Sequence, residues 1–316
     1  MSNDRCVSEA GLCSQGVQSR CGLDVQGAPK GVASGDSRSA TGEGSRGTAG
    51  RDLRQQGTAE ARIRGAFEGG KAFVPFVTCG DPDLETTEQL VLAMAQAGAD
   101  LIELGIPFSD PMAEGPVIQE ADTRALASGA TTDAVFELVE RLRKKTDVPF
   151  AFMTYANVVY SQGIGAFALR MAEAGVEALI LPDVPFEERE EFAGPCREAG
   201  VVLISMVAPT SHERIRAIAE QAEGFVYCVS SLGVTGVRGE ITTDVAGMVA
   251  LVKEARPDIP CAIGFGISAP EQARAMAQVA DGVIVGSAIV RKVGELGRAC
   301  VEPVAAYVHE MKAALG

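Results

Sequence analysis

The chain lacks clustered Lys and Arg and long apolar runs, and each absence excludes a class of function. Its 316 residues carry 28 Lys and Arg against 42 Asp and Glu, a formal net charge of -14 at pH 7. A nucleic-acid surface is therefore excluded, because phosphate binding requires grouped cations. No apolar run approaches the roughly 20 residues that a membrane span needs. The amino terminus also has no hydrophobic segment of the secretory type, so we expect a cytoplasmic protein.

Paired cysteine motifs are absent as well. The 8 cysteines occur without a CxxC pair and without a neighbouring histidine. This pattern indicates scattered reduced thiols rather than a metal or redox site. The 2 histidines, His212 and His309, lie in amphipathic helical patterns and are expected to face solvent. We therefore predict no metal site and no histidine base.

The start of the chain differs in composition from the rest. Residues 1–57 are rich in Gly, Ser, Arg and Gln, and they include no aromatic residue and no isoleucine. Such a segment cannot build a hydrophobic core, so we predict a disordered N-terminal extension. Ordered structure is expected to begin at 58–67, where Ile63, Ala66 and Phe67 recur at helical spacing.

Residues 58–316 alternate short apolar runs with longer amphipathic ones, which is typical of βα units around a parallel sheet. The eight predicted strands are 72–79, 99–105, 149–155, 178–184, 201–207, 224–230, 261–266 and 282–286. This alternation predicts an α/β fold, a single (β/α)8 TIM barrel that forms the catalytic domain. A doubly wound open sheet is the alternative, but no GxGxxG motif follows the first predicted strand. One helix start is predicted at Thr210, which would form a capping box with Glu213.

A Pro- and Gly-rich loop that carries carboxylates follows the second predicted strand. The stretch 103–119 presents Glu103, Asp110 and Glu114, and its prolines and glycines restrict the backbone between them. Carboxylates fixed at the carboxyl ends of barrel strands suit proton transfer. The apolar neighbours of Glu103 in 101–104 are expected to favour its protonated form, so Glu103 is the candidate general acid. A solvated glutamate, or one paired with an arginine, is the alternative interpretation.

The polar residues at the ends of the predicted strands include no lysine. The other polar residues at predicted strand ends are Tyr155, Asn157, Asp183, Tyr227 and Ser230. No lysine ends a predicted strand. This counts against Schiff-base aldolase chemistry, which needs a desolvated amine inside the barrel.

Glycine-rich turns follow the last two predicted strands, in Ala262-Ile-Gly-Phe-Gly-Ile-Ser268 and Val283-Ile-Val-Gly-Ser-Ala288. Glycine lets backbone N–H groups approach an anion, and the hydroxyl of Ser287 can donate one more hydrogen bond. The loops after strands seven and eight of a barrel are a frequent phosphate site. We therefore predict a phosphate cradle, with simple tight turns as the alternative. The stretch 230–243, rich in Gly and Thr, is predicted to be a mobile lid or else an ordinary surface loop.

Five motifs in this chain together resemble one enzyme family. They are Phe73-Val-Pro-Phe-Val-Thr-Cys-Gly-Asp-Pro82, Glu103-Leu-Gly-Ile-Pro-Phe-Ser-Asp-Pro111, Gly233-Val-Thr-Gly236, Gly264-Phe-Gly-Ile-Ser268 and Gly286-Ser-Ala-Ile-Val290. The series is similar to that of the tryptophan synthase alpha subunit, and the resemblance covers residues 58–316. It implies retro-aldol cleavage of indole-3-glycerol phosphate to indole and glyceraldehyde 3-phosphate, the last stage of tryptophan biosynthesis.

The resemblance also implies roles for individual residues. Glu103 matches the catalytic general acid/base, and Glu114 matches a second carboxylate that accepts the indole N–H. Here Ala113-Glu-Gly-Pro116 replaces an Ala-Asp-Gly-Pro form of the motif, which keeps the charge and changes the reach of the carboxylate. The implied substrate-binding residues are Phe76, Tyr227, Thr235, Gly236, Phe265, Gly266, Gly286 and Ser287. Phe76 and Tyr227 would line the indole pocket, and Thr235 would meet Glu114 when the lid closes. A second departure is Ser231-Leu232, where the family form has Arg and Ser.

A partner protein follows from the resemblance too. The family partner is a beta subunit that carries pyridoxal phosphate and receives indole, in an alpha2beta2 heterotetramer, and no cofactor is expected in this chain. Pro107, Phe108 and Asp110 match the loop that faces the beta subunit. Two other hypotheses stay open: a catalytically weak barrel subunit that mainly activates a beta partner, and a barrel isomerase or aldolase acting on another phosphate.

Overall fold

The computed structural model describes residues 58–229, 244–264 and 266–316. Its strands are β1 Ala72–Thr78, β2 Ile102–Gly105, β3 Phe150–Met153, β4 Ala178–Ile180, β5 Val202–Leu203, β6 Ser205–Val207, β7 Val226–Val229, β8 Cys261–Gly264 and β9 Gly282–Val285. They form one sheet in the order β5-β4-β3-β2-β1-β9-β8-β7-β6, and the neighbouring strands pair in parallel. Parallel neighbours of this kind require crossover connections, which the helices between the strands supply.

The two ends of the sheet are consecutive in the chain. β5 pairs with β4 and β6 pairs with β7, and Ile204 joins β5 to β6. The N–H of Ile204 donates to the carbonyl of Leu179 at 2.9 Å. The predicted fifth strand is thus interrupted, because its two halves bond to neighbours on opposite sides and so close the barrel. The predicted (β/α)8 barrel is confirmed, and the predicted extension at 1–57 lies outside the described residues.

Helices follow the strands and cover the outside of the barrel. They are α1 Ala59–Gly65, α2 Leu84–Gln96, α3 Pro116–Ala127, α4 Thr132–Leu142, α5 Ala156–Gln162, α6 Ile164–Ala174, α7 Glu190–Ala199, α8 His212–Glu220, α9 Val245–Ala255, α10 Pro270–Ala277, α11 Ser287–Leu296 and α12 Val301–Ala313, with 3-10 turns at Phe186–Glu188 and Gly297–Cys300. The start predicted at Thr210 is wrong by one residue, because the Ser211 hydroxyl accepts the Arg214 N–H at 3.2 Å. No helix within the described ranges is long and apolar enough to cross a membrane.

Alternate residues of the strands enter two different apolar clusters. In β1, Phe73 and Val77 belong to a cluster shared with the helices, whereas Val74 and Phe76 belong to a second cluster inside the barrel. Every residue of β1 is buried, because helices cover one face of the sheet and the barrel interior covers the other. Side chains of the described residues therefore fill the barrel interior, and the interior opens where the strands end.

A buried ionic network lies at the opposite end of the strands. Glu177 is 5% exposed and accepts hydrogen bonds from Arg62 Nε at 2.7 Å, Arg143 Nη2 at 2.9 Å and the Phe150 N–H at 2.8 Å. Burial lowers the pKa of Arg143 to about 10, against the charge of Glu177, which raises it. The guanidinium of Arg143 also lies 3.8 Å from the centre of the Phe150 ring. This network connects α1 to β3 and to the residue just before β4.

Candidate active site

A cavity opens at the carboxyl-terminal ends of the strands. The residues that line it are Phe76, Glu103, Glu114, Ile118, Met153, Tyr227, Gly266, Ile267, Ile284, Gly286 and Ser287. The structure thus brings both predicted carboxylates together with predicted pocket and phosphate residues. Sequence reasoning missed the four aliphatic residues, although Met153 and Ile284 were recognisable as inward-facing positions of predicted strands.

Glu103 projects from β2 into this cavity. Its side chain is 1% exposed, and neither carboxylate oxygen has a hydrogen-bond partner among the described residues. Burial raises the pKa of Glu103 well above its ordinary value, and the charge of Glu114 raises it further. The apolar surroundings of the Glu103 carboxyl come from the cavity lining. Its two neighbours in the chain, Ile102 and Leu104, do not contribute, because they face the helix layer. The protonated form of Glu103 is therefore favoured, which suits a group that donates a proton.

Glu114 lies in the loop between β2 and α3, and its backbone is held at both ends. Its N–H donates to the Pro111 carbonyl at 3.1 Å, and its carbonyl accepts Gln119 Nε2 at 2.8 Å. The side chain is 5% exposed. Its charge contributes to raising the pKa of Glu103, Asp122, Tyr155 and Tyr227. Of these four groups, Glu103 and Tyr227 line the same cavity as Glu114.

Tyr155 anchors the same loop from the third strand. Its hydroxyl accepts the backbone N–H of Ala113 at 3.0 Å, and its ring stacks on Phe108 with the centroids 5.2 Å apart. The ring is 6% exposed, and burial raises the pKa of Tyr155, so the hydroxyl stays neutral. The sequence marked Tyr155 as a strand-end polar residue without a role. The structure shows that it fixes the residue before Glu114.

A further buried carboxyl, Asp122 on α3, was missed by sequence reasoning. Its pKa is raised to about 8, mainly by burial and also by the charges of Glu114 and Asp81, while a hydrogen bond from the Phe108 backbone N–H acts in the opposite direction. Asp81 is itself held by Arg124, whose Nε and Nη2 each lie 2.8 Å from one of its carboxylate oxygens. The signal in the sequence was spacing, because Asp122 lies one helical turn beyond the cavity residue Ile118.

The strand-end glycines have two different functions. A Cβ atom at Gly105 would lie 2.6 Å from the Phe76 ring, and one at Gly264 would lie 2.6 Å from the Tyr227 ring. These two glycines therefore give room to the aromatic walls of the cavity. The anion cradle predicted around Gly264 and Gly266 stays a prediction, because space at the Cβ position does not bear on what the backbone N–H groups bind.

Gly266 and Gly286 remain at the predicted phosphate end. Gly266 has a φ of +80°, which favours glycine, and Gly286 precedes the first residue of α11. Because Ser287 lines the cavity, the amino-terminal end of α11 presents its unbonded N–H groups at the wall. The other predicted residues, Thr235, Gly236 and Phe265, lie outside the described residues, as does the predicted lid at 230–243.

The predicted partner-facing residues lie at the start of the loop after β2. Pro107 is buried, Phe108 is half-buried and Asp110 is exposed, with its carboxylate accepting the Ser109 hydroxyl at 2.6 Å. Met112, which sequence reasoning did not single out, is 86% exposed. Phe108, Asp110 and Met112 are thus accessible at the surface of this loop whereas Pro107 is not, and the partner-facing role of the loop stays a prediction.

Histidine and cysteine, the residue types that most often serve metal or redox sites, do not line this cavity in the described part of the chain. His212 and His309 are both exposed, as predicted. The described cysteines are free and buried, namely Cys79, Cys196, Cys228, Cys261 and Cys300. Within the described ranges, no group of His, Cys, Asp and Glu side chains is arranged to hold a metal ion.

Together, the fold and the cavity define a (β/α)8-barrel protein with two buried glutamates and a glycine-lined pocket at the barrel mouth. Comparison with known families matches residues 65–315 to the family described as tryptophan synthase alpha chain. The chain belongs to the tryptophan synthase alpha chain family. Its membership agrees with the resemblance carried by the five sequence motifs.

Individual relatives support the same assignment. The tryptophan synthase alpha chain of Lactiplantibacillus plantarum is 54% identical over 225 residues, covering 71% of this chain and 85% of that protein. That of Citrifermentans bemidjiense is 53% identical over 224 residues, covering 71% and 84%. Among solved structures, the alpha chain from Legionella pneumophila superposes with a TM-score of 0.74 at 34% identity, covering 82% of this chain and 98% of that one. Tryptophan synthase from Mycobacterium tuberculosis gives 0.72 at 33% identity, covering 81% and 96%.

Proposed function

We propose that this chain catalyses the alpha reaction of tryptophan synthesis, the lyase cleavage of indole-3-glycerol phosphate to indole and glyceraldehyde 3-phosphate. One observation carries the proposal: Glu103 is buried with its pKa raised, in the same cavity as the charge of Glu114. A neutral acid beside a carboxylate can protonate one atom of a substrate while the carboxylate stabilises positive charge at another. We propose the cytoplasm as the location on family membership alone.

The proposed steps conserve protons. Glu103 donates its proton to C3 of the indole ring, and Glu114 accepts a hydrogen bond from the indole N–H as positive charge develops. The carbon–carbon bond then breaks, its electron pair returns to the ring, and the adjacent hydroxyl becomes the aldehyde. The hydroxyl proton returns to Glu103, which regenerates the acid.

The cavity supplies the binding groups for such a substrate. Phe76 and Tyr227 are proposed to pack on the indole ring. Gly266, Gly286 and the Ser287 hydroxyl are proposed to bind the phosphate at the end of α11, whose dipole favours an anion. Gly236 and Phe265 are proposed as further phosphate residues and Thr235 as the lid contact of Glu114, on the resemblance alone.

We also propose a beta subunit as the partner, assembled as alpha2beta2 and carrying the pyridoxal phosphate. Support comes from the loop after β2, where Met112 is exposed two residues after Asp110 and lies within the turn that Glu114 closes on Pro111. An exposed apolar side chain there suits coverage by a partner. In the described part of the chain, no lysine lines the cavity, so a Schiff base with pyridoxal phosphate has no amine to form on.

The proposed function is tested by glyceraldehyde 3-phosphate release from indole-3-glycerol phosphate. The purified chain is assayed alone and with a tryptophan synthase beta subunit, and we expect release that rises sharply when beta is added. Stimulation of the beta reaction without any cleavage would identify the catalytically weak subunit instead. Absence of both effects would contradict the proposal, and turnover of another sugar phosphate would then be examined.

Replacing Tyr155 with Phe is expected to lower kcat about tenfold with little change in KM, because the hydrogen bond to Ala113 is worth about 1.4 kcal/mol. Without that bond the loop no longer holds Glu114 in one position, while the phosphate residues are untouched. Steady-state kinetics measures the two constants separately. Tyr160→Phe is the matched control, since Tyr160 is 47% exposed on α5. Equal kinetics of the two variants would show that Tyr155 does not position Glu114.

A further inference from the structure

A second cavity of about 190 Å³ is bounded by the segment 181–189 after β4, by β5 and β6, and by α8. Its lining residues are Leu181, Pro182, Val184, Pro185, Phe186, Arg189, Leu203, Ile204, Ser205, Met206, Ala208, Thr210, Arg214 and Ile218. None of these lines the cavity that holds Glu103. Leu203 belongs to the cluster shared with the helices, so this cavity reaches the outer face of the barrel wall. The proposed cleavage reaction has no use for it.

Arg189 brings a buried positive charge to the wall of this cavity. The residue is 8% exposed, and its Nη2 atom is buried without a hydrogen-bond partner among the described residues. Its Nη1 atom reaches the neutral Gln221 carbonyl at 3.4 Å, which is a long hydrogen bond. A guanidinium stays charged in a protein, and a buried charge without a partner is unfavourable. An acceptor that carries negative charge would relieve this cost.

Ser205 supplies a second buried donor in the same lining. It lies on β6, it is 6% exposed, and its hydroxyl has no hydrogen-bond partner within the described ranges. Two unpartnered polar groups in one cavity are unusual, since most buried polar atoms in proteins are hydrogen-bonded. A guanidinium and a hydroxyl are both donors, so their common partner is an acceptor such as a carboxylate.

The second arginine of the cavity fixes the charge of the occupant. Arg214 donates to both carboxylate oxygens of Glu187, at 2.5 and 2.9 Å. Its charge is therefore already paired, and Arg189 leaves one positive charge to be neutralised. The remaining lining is largely apolar, as is usual in sites that bind small organic molecules.

From these contacts we propose that the second cavity binds a small amphipathic monocarboxylate. Its carboxylate is held by Arg189 and Ser205, and its apolar body lies against Phe186, Leu203 and Met206. The proposal concerns a site separate from the one proposed for cleavage, so each can fail without the other.

The test uses 3-phenylpropionate as the probe and its neutral amide, 3-phenylpropanamide, as the matched comparison. Methionine methyl groups are labelled with carbon-13 in the full chain and followed by NMR, because Met206 lines the second cavity and Met153 lines the first. Titration is expected to shift the Met206 signal to saturation at one site and to leave Met153 unchanged. The amide is expected to bind at least about tenfold more weakly, because it cannot form the charge-assisted hydrogen bonds.

Variants locate the charge that is recognised. Arg189→Gln is expected to weaken 3-phenylpropionate binding about tenfold and to leave amide binding nearly unchanged. Arg216→Gln is the control on α8, since Arg216 is exposed and paired with Glu254, and it should bind like the original chain. If Arg189→Gln fails to fold, the proposal is tested by Ser205→Ala, which should weaken 3-phenylpropionate binding, and by the ratio of acid to amide affinity in the original chain. Equal affinity for the two probes, shifts at Met153 instead of Met206, or no shift at Met206 would each overturn the proposal.

Discussion

Glu103→Gln is expected to lower kcat for indole-3-glycerol phosphate cleavage by about 10²–10⁴-fold, the usual contribution of a general acid. The amide has nearly the same shape as the carboxylic acid, but it cannot deliver the proton to the indole ring. Binding should survive, because the residues proposed for the phosphate and the ring are unchanged. Rates with saturating substrate and added beta subunit give the comparison. Glu68→Gln, a change at an exposed residue, serves as the control.

The pH dependence of cleavage also tests Glu103 as the general acid. Because the pKa of Glu103 is raised, cleavage should persist above the ordinary range of a glutamate and fall as pH rises through the raised pKa. Folding stability should change with pH in the same direction. The folded state holds this proton more tightly than the unfolded chain, so stability is lost as pH rises from the ordinary pKa of a glutamate through the raised pKa of Glu103. Glu103→Gln should remove this stability loss. Near-normal cleavage by Glu103→Gln, or an unchanged pH profile of stability, would contradict the assigned role.

Glu177→Ala is expected to lower the free energy of unfolding by about 3–5 kcal/mol, the usual cost of removing one partner of a buried ion pair. The change would leave Arg143 buried without its carboxylate and the Phe150 N–H without its acceptor. Chemical denaturation measures the loss. The network lies at the amino-terminal ends of the strands, so kcat of the folded fraction should stay the same.

A surface ion pair provides the comparison for Glu177→Ala. Glu254 pairs with Arg216 at the surface, and an exposed pair of this kind contributes about 0–1 kcal/mol. Glu254→Ala should therefore unfold at nearly the same denaturant concentration as the original chain. If Glu177→Ala lost no more stability than Glu254→Ala, the network around Glu177 would be structurally dispensable.

The sequence predicted those site residues that combine a suitable side chain with a position on a predicted strand. Glu103, Phe76 and Tyr227 lie near the ends of predicted strands, and they line one cavity because the carboxyl ends of parallel strands meet at one edge. The reason given for the raised pKa of Glu103 was only partly right. Ile102 and Leu104 face the helices, because adjacent strand residues point to opposite sides of a sheet.

Residues that act through long-range contacts were not predictable in this way. Asp122 is one helical turn from Ile118, but its raised pKa depends first on burial and then on Glu114 and Asp81, which come from two other loops. The positioning bond of Tyr155 joins residues 42 positions apart in the chain. Both contacts join distant segments of the chain, so no periodicity in the sequence indicates them. The roles proposed for the site residues remain predictions.

The sequence by itself determined the βα alternation, the positions of Glu103 and Glu114, and the glycines of the last two turns. These properties are local, since spacing, turn residues and strand-end position are read over a few neighbouring residues. Only the tertiary structure decided where the barrel closes at Ile204 and which glycines make room for aromatic rings. It alone also placed Arg189 and Ser205 in one cavity. Those outcomes depend on burial and on contacts between distant segments, which exist only once the sheet has closed.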